Sequence, residues 1–315
     1  GSLNVLTINI LYSEFKTLDT RLNNIAQFVA DQFVSAFPEP VDVIALQEVV
    51  GGRLADALAK RLGHTSIRQD TAENLRVILA QQFGLDYQSA RALANGVPGV
   101  LAVYNATLSR CSIEFSLAKR LPPAEEIHVQ GREITLPRSV LMSRISIPGA
   151  GMINVYNTHL CSDCREEERS YQAQSLIDFV QGVDAVFPDI SSILAGDFNI
   201  NVASVADLNN PVYRLIRGAG FVDSYAESNP STATFCSEPE GGPRQGCTID
   251  VSRIGGLLPN NTADHPARID FIFFNREGLQ VQHSRVVFNP LVAGDTTPSV
   301  SDHSAVFTEF QFARD

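Results

Sequence analysis

Short apolar runs of strand length recur along the whole chain and alternate with longer segments of helical spacing. Runs of about four to eight apolar residues, bounded by polar or turn-forming residues, are typical of buried strands. They predict strands over residues 3–10, 41–46, 99–104, 112–117, 139–147, 152–159, 190–195, 268–274, 281–288 and 304–312. Strands that alternate with helices in this way favour an α/β fold.

Apolar residues three and four positions apart predict the helices. In residues 18–37, Leu22, Ile25 and Val29 fall on one helical face, and Pro38 is expected to end the helix. Further helices are predicted over residues 53–62, 72–93, 166–187 and 209–218, where 72–93 forms one or two helices.

One large domain is expected, because residues 1–315 show no linker, no break in composition and no internal repeat. The polar segment 121–137 is expected to form a hairpin between two strands. Residues 229–266 are rich in Gly, Pro, Ser and Asn and predict an irregular insertion loop. Loops of this length are usually functional or disordered. Gly1 and Ser2 resemble the remnant of an expression tag.

The charge of the chain argues against a broadly basic surface. With 24 Lys and Arg against 35 Asp and Glu, the formal net charge is −11. A surface that binds nucleic acid usually shows an excess of basic residues, although a local basic groove is compatible with this balance. No apolar stretch approaches the roughly 20 residues that span a bilayer, so we expect no transmembrane segment. A monomer is expected.

The five cysteines bear on the compartment in which the protein works. Cys161 and Cys164 form a single CxxC, which is weak support for zinc without a second pair. Cys236 and Cys247 flank a loop rich in Gly and Pro and predict a disulfide, whereas Cys111 stands alone. If both pairs are oxidised, the protein is extracytoplasmic or secreted, which is our expectation. Free buried thiols are the alternative, and the lack of a visible signal peptide does not decide between them.

Several predicted strands end in a polar residue that can bind a metal or a phosphate. Asp197 and Asn199 follow the apolar strand 190–195, and residues two positions apart on an extended chain face the same side. Taken alone, this pair is more typical of a turn than of a site. The other strand ends carry Asn9, Glu48, His159, Asp270, and Asp302 with His303. Because ligands of α/β folds gather at strand ends, the six sets together predict one active site.

These motifs resemble those of the endonuclease/exonuclease/phosphatase superfamily of hydrolases, which includes DNase I-like nucleases and neutral sphingomyelinases. The matching segments are Thr7-Ile8-Asn9, Leu46-Gln47-Glu48, Asn157-Thr158-His159-Leu160, Gly196-Asp197-Phe198-Asn199, Arg268-Ile269-Asp270-Phe271 and Ser301-Asp302-His303. They occur in the order found in the family and cover nearly the whole chain. The resemblance implies a four-layer α-β-β-α sandwich, in which two mixed β-sheets are flanked by helices.

Hydrolysis of a phosphodiester requires a cation on the phosphoryl oxygens, an activated water and neutralisation of the leaving group. Glu48 is the best candidate metal ligand, because a carboxylate suits Mg²⁺, with Mn²⁺ or Ca²⁺ as alternatives. Asn9 would complete the metal shell or hold the phosphate. Asp302 would be a further ligand.

His303 is the best candidate for the general base, and the family pattern pairs it with Asp270, which would orient its imidazole. Asp197 would position the attacking water or share the role of base. Asn199 and His159 would bind the substrate, stabilise the pentavalent phosphorane or protonate the leaving oxygen.

These residues are compatible with several functions, which differ in their substrate. A lipid phosphodiesterase of the sphingomyelinase type is favoured slightly, because the acidic balance fits it. A helix with Arg169, Gln172 and Gln174 also follows the His159 motif, as in neutral sphingomyelinases. Against this reading, the sequence shows no strongly apolar hairpin for membrane insertion.

A secreted DNase I-like endonuclease is the first alternative. Arg138 aligns loosely with a phosphate-binding arginine of secreted nucleases, and a surface role is equally compatible with its sequence. An inositol phosphate phosphatase would need a more basic pocket. A catalytically inactive binding module should have lost Glu48, Asp197 or His303, and all three are present.

Overall fold

Two six-stranded β-sheets form the centre of the computed structural model, which describes residues 1–31, 33–34, 37–129, 132–230, 236, 246–249, 267–289 and 300–313. The strands are β1 (Ser2–Asn9), β2 (Phe33–Val34), β3 (Phe37–Pro38), β4 (Val43–Gly51), β5 (Gln88–Val97), β6 (Leu101–Ser109), β7 (Ser112–Arg120), β8 (Ala124–Val129), β9 (Arg132–Leu136), β10 (Ser139–Ile147), β11 (Gly151–His159), β12 (Ser191–Asp197), β13 (Phe221–Asp223), β14 (Asp270–Asn275), β15 (Leu279–Val287) and β16 (Ala305–Phe312). The helices are α1 (Leu18–Ala30), α2 (Arg53–Arg61), α3 (Thr71–Phe83), α4 (Glu166–Val186), α5 (Pro211–Gly218) and α6 (Ser224–Ser228).

Each sheet is mixed and contains one parallel pair near its middle. The first sheet has the order β15-β16-β1-β4-β6-β5, and its parallel pair is β1 with β4. The second has the order β13-β14-β12-β11-β10-β7, and its parallel pair is β11 with β12. Parallel neighbours end at the same edge of a sheet, so each sheet presents two adjacent strand ends there.

Three apolar clusters define four layers. One cluster lies between the sheets and takes residues from both, such as Val5 of the first and Val155 of the second. A second packs the outer face of the first sheet against α1, α2 and α3. The third packs the outer face of the second sheet against α4 and α5. The predicted four-layer α-β-β-α sandwich is confirmed.

Residues 72–93 do not form only helix, contrary to the prediction. Helix α3 ends at Phe83, and Gly84 follows in the left-handed region with a φ of 67°, a conformation that glycine adopts without strain. The chain then forms β5 at the edge of the first sheet. Alternate residues of β5, Ala90, Ala92 and Ala94, are buried. Alanine favours helices, so pairing with β6 has overridden a local preference that misled the prediction.

The first predicted helix is also too long, because α1 ends at Ala30 rather than at residue 37. Residues Phe33–Val34 pair instead with Phe37–Pro38 in a short hairpin. The residue before a proline avoids the helical region, which is consistent with an extended conformation here. The hairpin predicted over 121–137 is present as β8 and β9.

The cysteines form two pairs. Disulfides join Cys161 to Cys164 and Cys236 to Cys247, and Cys111 is free and half-buried. Most of the predicted insertion 229–266 lies outside the described residues. None of the described helices is long and apolar enough to cross a membrane.

Candidate active site

The ends of the parallel strands bring the candidate side chains together. Asn9 is the last residue of β1, His159 the last of β11 and Asp197 the last of β12. His159 and Asp197 are register partners across the parallel pair, and Asp197 is the register partner of Asp270 at the start of β14. Four residues selected from the sequence therefore meet at one end of the sandwich.

Gly196 permits the close approach of β11 and β12 at this point. Its φ is 147°, and a Cβ added to it would collide with the carbonyl oxygen of Thr158. A side chain at this position would push the two strands apart just before His159 and Asp197. Glycine is therefore needed here for packing rather than for contact with a ligand.

The sequence suggested that Glu48 lies at the end of its strand, and this prediction is wrong. β4 continues beyond it, and the pairing of β4 with β6 shifts register on either side of Gln47 and Glu48. Glu48 adopts a φ of 57° in this bulge, which is rare for a residue other than glycine. Its Oε1 accepts a hydrogen bond from Asn9 Nδ2 at 3.0 Å, and its Oε2 accepts one from the backbone N–H of Tyr12 at 3.0 Å. The bulge thus aims the carboxylate at the strand ends.

Asn9 joins the two sheets at the site. Its Nδ2 donates to Glu48 on the first sheet and, at 3.1 Å, to Asp197 Oδ2 on the second. Its Oδ1 accepts the backbone N–H of Leu11 at 3.0 Å. Because Asn9 is buried and tied on both sides, it fixes the separation of the two carboxylates.

His303 and Asp270 form a buried hydrogen-bonded pair. His303 Nδ1 lies 2.9 Å from Asp270 Oδ2, and Nε2 lies 3.8 Å from Asp197 Oδ2. A carboxylate on Nδ1 fixes the ring orientation and directs Nε2 toward the centre of the site. The structure brings together the two residues that the sequence paired, and their roles in catalysis stay a prediction.

Thr248 holds the start of β14, and sequence reasoning missed it. Its Oγ1 accepts the backbone N–H groups of Ile269 and Asp270 at 3.0 and 3.1 Å. Its carbonyl accepts the N–H of Ser304 at 2.7 Å. Thr248 therefore braces both members of the His303–Asp270 pair from inside the predicted insertion, where a single threonine gives no signal in the sequence.

Asp197 lies at the centre of the cluster. Its Oδ2 is 3.3 Å from His159 Nε2, and its side chain is 1% exposed. Burial, and then the charge of Asp270, raises the pKa of the Asp197 carboxyl to about 7. Burial disfavours a charged His303, but the carboxylates of Asp270 and Asp197 outweigh it and hold the pKa of this imidazole well above its usual value.

Arg138 is a buried cation near the site rather than a surface arginine. It is 6% exposed. Burial, followed by the positive charges of Arg138 and His303, lowers the pKa of His159 well below its usual value. Burial and Glu48 raise the pKa of Tyr12, and Arg138 acts against them. Arg138 therefore lies close enough to influence His159 and Tyr12, and its predicted role in binding a phosphate stays a prediction.

Asn199 does not share the orientation expected from a straight strand. β12 ends at Asp197, and Asn199 has a φ of 51°, so the alternation of an extended chain stops between them. The backbone N–H of Asn199 donates to Asp197 Oδ1 at 3.0 Å, and its Nδ2 donates to the carbonyl of Leu160 at 2.9 Å. The side chain thus orders the loop after His159, while its Oδ1 and second amide hydrogen remain available to a ligand.

Two groups of residues offer ligands for a divalent cation, and the first is Glu48 with Asp302. Burial raises the pKa of Glu48, and the nearby charge of Asp302 raises it further. Two carboxylates that repel each other are stabilised by a bound cation, and an all-oxygen set suits a hard ion. The second group is Asp197, Asp270 and His303, whose ligand atoms lie within 4.8 Å of one another. There the imidazole Nδ1 is engaged by Asp270, so the pair of Glu48 and Asp302 fits Mg²⁺ better.

Arg21 supports the chain segments next to Glu48 and Asp302, and sequence reasoning also missed it. Arg21 is 1% exposed on the inner face of α1. It donates to the carbonyls of Ile10, Leu11, Glu14 and Val300. These carbonyls belong to the loop after Asn9 and to the residues just before Asp302. The signal available in the sequence is a charged residue between Leu18 and Leu22, within an apolar helical stripe.

The model of the endonuclease/exonuclease/phosphatase family matches residues 6–303 of the chain. No curated protein sequence gives a significant match. Among solved structures, the chain is similar to an endonuclease/exonuclease/phosphatase family protein from Leptotrichia buccalis C-1013-b. The identity is 21%, the TM-score is 0.65, and the alignment covers 98% of this chain and 100% of the other.

Two further structures of differently named proteins carry the same fold. A mannosyl-6-phosphatase from Bacteroides thetaiotaomicron VPI-5482 is 17% identical with a TM-score of 0.61, over 98% of this chain and 100% of the other. The D. rerio TDP2 complexed with a single-strand DNA product is 16% identical with a TM-score of 0.58, over 99% of both chains. At these identities the likeness shows the fold and leaves the substrate open.

Proposed function

The chain belongs to the endonuclease/exonuclease/phosphatase family, whose members are metal-dependent phosphoester hydrolases, and on this basis we propose that it hydrolyses phosphodiesters by in-line attack of an activated water. The observation that carries the proposal is the contact between Asp197 and the His303–Asp270 pair. It places two buried groups of raised pKa within reach of a single water molecule. Perturbed groups of this kind cluster at catalytic sites.

Glu48 and Asp302 would hold the cation, for which we propose Mg²⁺, with Asn9 completing the shell or binding the phosphate. When bound, the cation supplies positive charge to the phosphoryl oxygens and to the leaving oxygen. Arg138, whose charge acts on His159, would add a second positive charge. His159, neutral because of its lowered pKa, is placed to donate a hydrogen bond to the phosphate.

The raised pKa values of Asp197 and His303 favour different roles for the two residues in the reaction. A carboxylate with a pKa of about 7 is basic enough to accept the proton of the attacking water at neutral pH. His303 stays protonated at neutral pH, because Asp270 and Asp197 raise its pKa. We therefore assign Asp197 as the proton acceptor and His303 as a positively charged partner of the phosphorane. The assignment of His303 as the base is the alternative, and a pH profile separates the two.

We propose a phospholipid phosphodiester as the first substrate class to test. The net charge of −11 disfavours a long polyanion such as DNA. The residues of α4 that favoured a sphingomyelinase from the sequence have structural contacts, since Arg169 donates to the carbonyl of Cys161 at 2.9 Å and Gln172 to that of Pro122 at 3.0 Å. These residues therefore do not support a lipid substrate. The net charge of the chain is the remaining argument for it. Nuclease activity is the second candidate, supported by buried Arg138 and by the likeness to TDP2 bound to DNA.

We further propose that the protein is a monomer that works outside the cytoplasm. The two disulfides support the compartment, because such bonds persist in oxidising environments.

One panel tests the proposed function. Sphingomyelin vesicles, plasmid DNA, RNA, an inositol phosphate and a nitrophenyl phosphodiester are compared with Mg²⁺ and with EDTA. We expect turnover of the nitrophenyl diester and of one natural diester, in each case abolished by EDTA. Asp197→Asn is the inactive control, and Asp178→Asn, at an exposed position on α4, is the matched active one. Hydrolysis that persists in EDTA, or that continues at the wild-type rate in Asp197→Asn, contradicts the proposal.

A further inference from the structure

Helix α2 presents an exposed apolar stripe. The stripe consists of Leu54, Leu58 and Leu62, which are spaced four residues apart, and Leu62 directly follows the last residue of the helix. Their exposed fractions are 47%, 38% and 48%. Residues at this spacing lie on one side of a helix. The buried side of α2 is supplied instead by Ala55 and Ala59. The leucines therefore do not belong to the core between α2 and the sheet.

The tip of the β5–β6 hairpin extends this stripe. Val97 and Val100 are 61% and 46% exposed. The backbone N–H of Leu54 donates to the carbonyl of Val100 at 2.9 Å, and the N–H of Arg53 donates to that of Gly99 at 3.2 Å. We call Leu54, Leu58, Leu62, Val97 and Val100 the α2 face. These five residues are a large share of the exposed large apolar side chains in the described part of the chain, and the rest are scattered over other elements.

Cationic side chains border the α2 face. Arg53, Arg68 and Arg91 line a cavity of about 340 Å³ with Tyr104 and the hairpin tip. Arg91 is paired with Asp70. Neither Arg53 nor Arg68 forms an ion pair with a described residue, and the same holds for Arg61 on the last turn of α2. A local excess of positive charge thus adjoins the apolar stripe, on a chain whose net charge is −11.

We propose that the α2 face docks on an anionic phospholipid surface. A helix with an apolar side flanked by Lys and Arg can lie in the plane of a bilayer, with its apolar side chains among the acyl chains and its cations at the headgroups. The 340 Å³ cavity offers a headgroup phosphate the guanidinium groups of Arg53 and Arg68, because Arg91 is held by Asp70. The carboxylate of Asp56 also lines the cavity and is paired with Lys60. A nucleic acid would use the arginines but would leave the exposed leucines and valines without a partner, so a lipid surface explains more of the face.

The docking surface adjoins the strand that carries Glu48. β4 continues past Glu48 and ends at Gly51, and α2 begins at Arg53. A bilayer held by α2 would therefore lie near the end of the sandwich where the active site is. The proposal does not depend on hydrolysis, because binding to vesicles is measured without turnover.

Sedimentation with vesicles in EDTA tests the docking surface. The vesicles are phosphatidylcholine alone and phosphatidylcholine mixed with phosphatidylserine. We expect the wild-type protein to bind the mixed vesicles more tightly. Leu54→Gln with Leu58→Gln should weaken binding by about tenfold or more, because two partly exposed leucines no longer enter the bilayer. Arg53→Gln with Arg68→Gln should weaken binding to the anionic vesicles alone, by about fivefold for each charge.

The control is Tyr171→Gln with Val186→Gln, which removes from α4 two apolar side chains that are more exposed than Leu54 and Leu58. This control should bind as the wild type does. All variants should keep wild-type turnover of the soluble nitrophenyl diester, which reports the fold. No binding by the wild type, or equal losses in the control, overturns the proposal. If the leucine variant instead changes the sedimentation coefficient of the protein without vesicles, the α2 face is an interface between copies of the chain and the proposal is wrong.

Discussion

The side-chain amide of Gln47 donates a 2.8 Å hydrogen bond to Asn157 Oδ1, and this bond links the two sheets next to the active site. Gln47 precedes Glu48 in the bulge of β4, and Asn157 lies two residues before His159 in β11. Asn157 Nδ2 also donates to the carbonyls of Leu46 and Ala106, at 3.1 and 2.8 Å. Both side chains are fully buried. The cross-sheet bond therefore sets the position of Glu48 on the first sheet relative to His159 on the second.

Asn157→Ala should lower the free energy of unfolding by about 2–4 kcal/mol, because it removes the cross-sheet acceptor of Gln47 and the buried donor to the carbonyls of Leu46 and Ala106. Urea denaturation measures the loss. In a double-mutant cycle with Gln47→Ala, the two changes should be strongly non-additive. Additive losses would show that the bond does not couple the sheets.

Asp270→Asn should reduce kcat by about 10²- to 10⁴-fold while KM changes little, because the amide no longer holds His303 in its charged, oriented form. Steady-state kinetics on the nitrophenyl diester measure both constants. Asp178→Asn serves again as the surface control. A large change in KM with little change in kcat would place Asp270 in substrate binding instead.

The stability of the metal-free protein should depend on the protonation of Asp197. Its pKa is 3.8 as an unperturbed group and about 7 in the fold, so the folded state holds a proton that the unfolded chain releases between these values. Because the folded state then binds more protons, the contribution of Asp197 to the free energy of unfolding falls as the pH rises from about 4 to about 7. Asp197→Asn should remove this slope. Urea denaturation in EDTA at a series of pH values compares the two proteins, and identical slopes would contradict the raised pKa.

The pH dependence of kcat/KM separates the two candidate bases. If Asp197 accepts the proton, activity rises with pH to a plateau at or below about pH 7, since a bound cation lowers the pKa of a nearby carboxyl. Asp197→Asn should then lose both this limb and about 10³-fold of the rate. If His303 is the base, the limb should lie well above neutral pH, and a residual limb should survive in Asp197→Asn.

The sequence predicted the parts of the site that depend on local pattern and missed the parts that depend on distant chain. Asn9, His159 and Asp197 were recognised because each ends an apolar run, and a run of this kind is visible in one stretch of residues. The bulge at Glu48 arises from pairing with β6, and the support from Arg21 and Thr248 comes from segments far away in the chain. The strand β5 was missed for the same reason, because its alanines favour helix until a partner strand is present. Local preference therefore located the candidate site residues but not the residues that support them.

Two substitutions that each remove a carboxylate, Glu48→Gln and Asp270→Asn, distinguish the two candidate positions of the cation. If the ion binds at Glu48 and Asp302, Glu48→Gln removes a ligand and relieves the repulsion between the two carboxylates. The metal-free variant should then be at least as stable as the wild type, and its affinity for Mg²⁺ should fall by about 100-fold or more. Thermal unfolding with increasing Mg²⁺ shows both effects, because a ligand that binds only the folded state raises the midpoint as RT ln(1 + [L]/Kd). Asp270→Asn should keep the Mg²⁺-dependent rise. The reverse result, in which Asp270→Asn loses the rise and Glu48→Gln keeps it, would place the ion in the group of Asp197, Asp270 and His303.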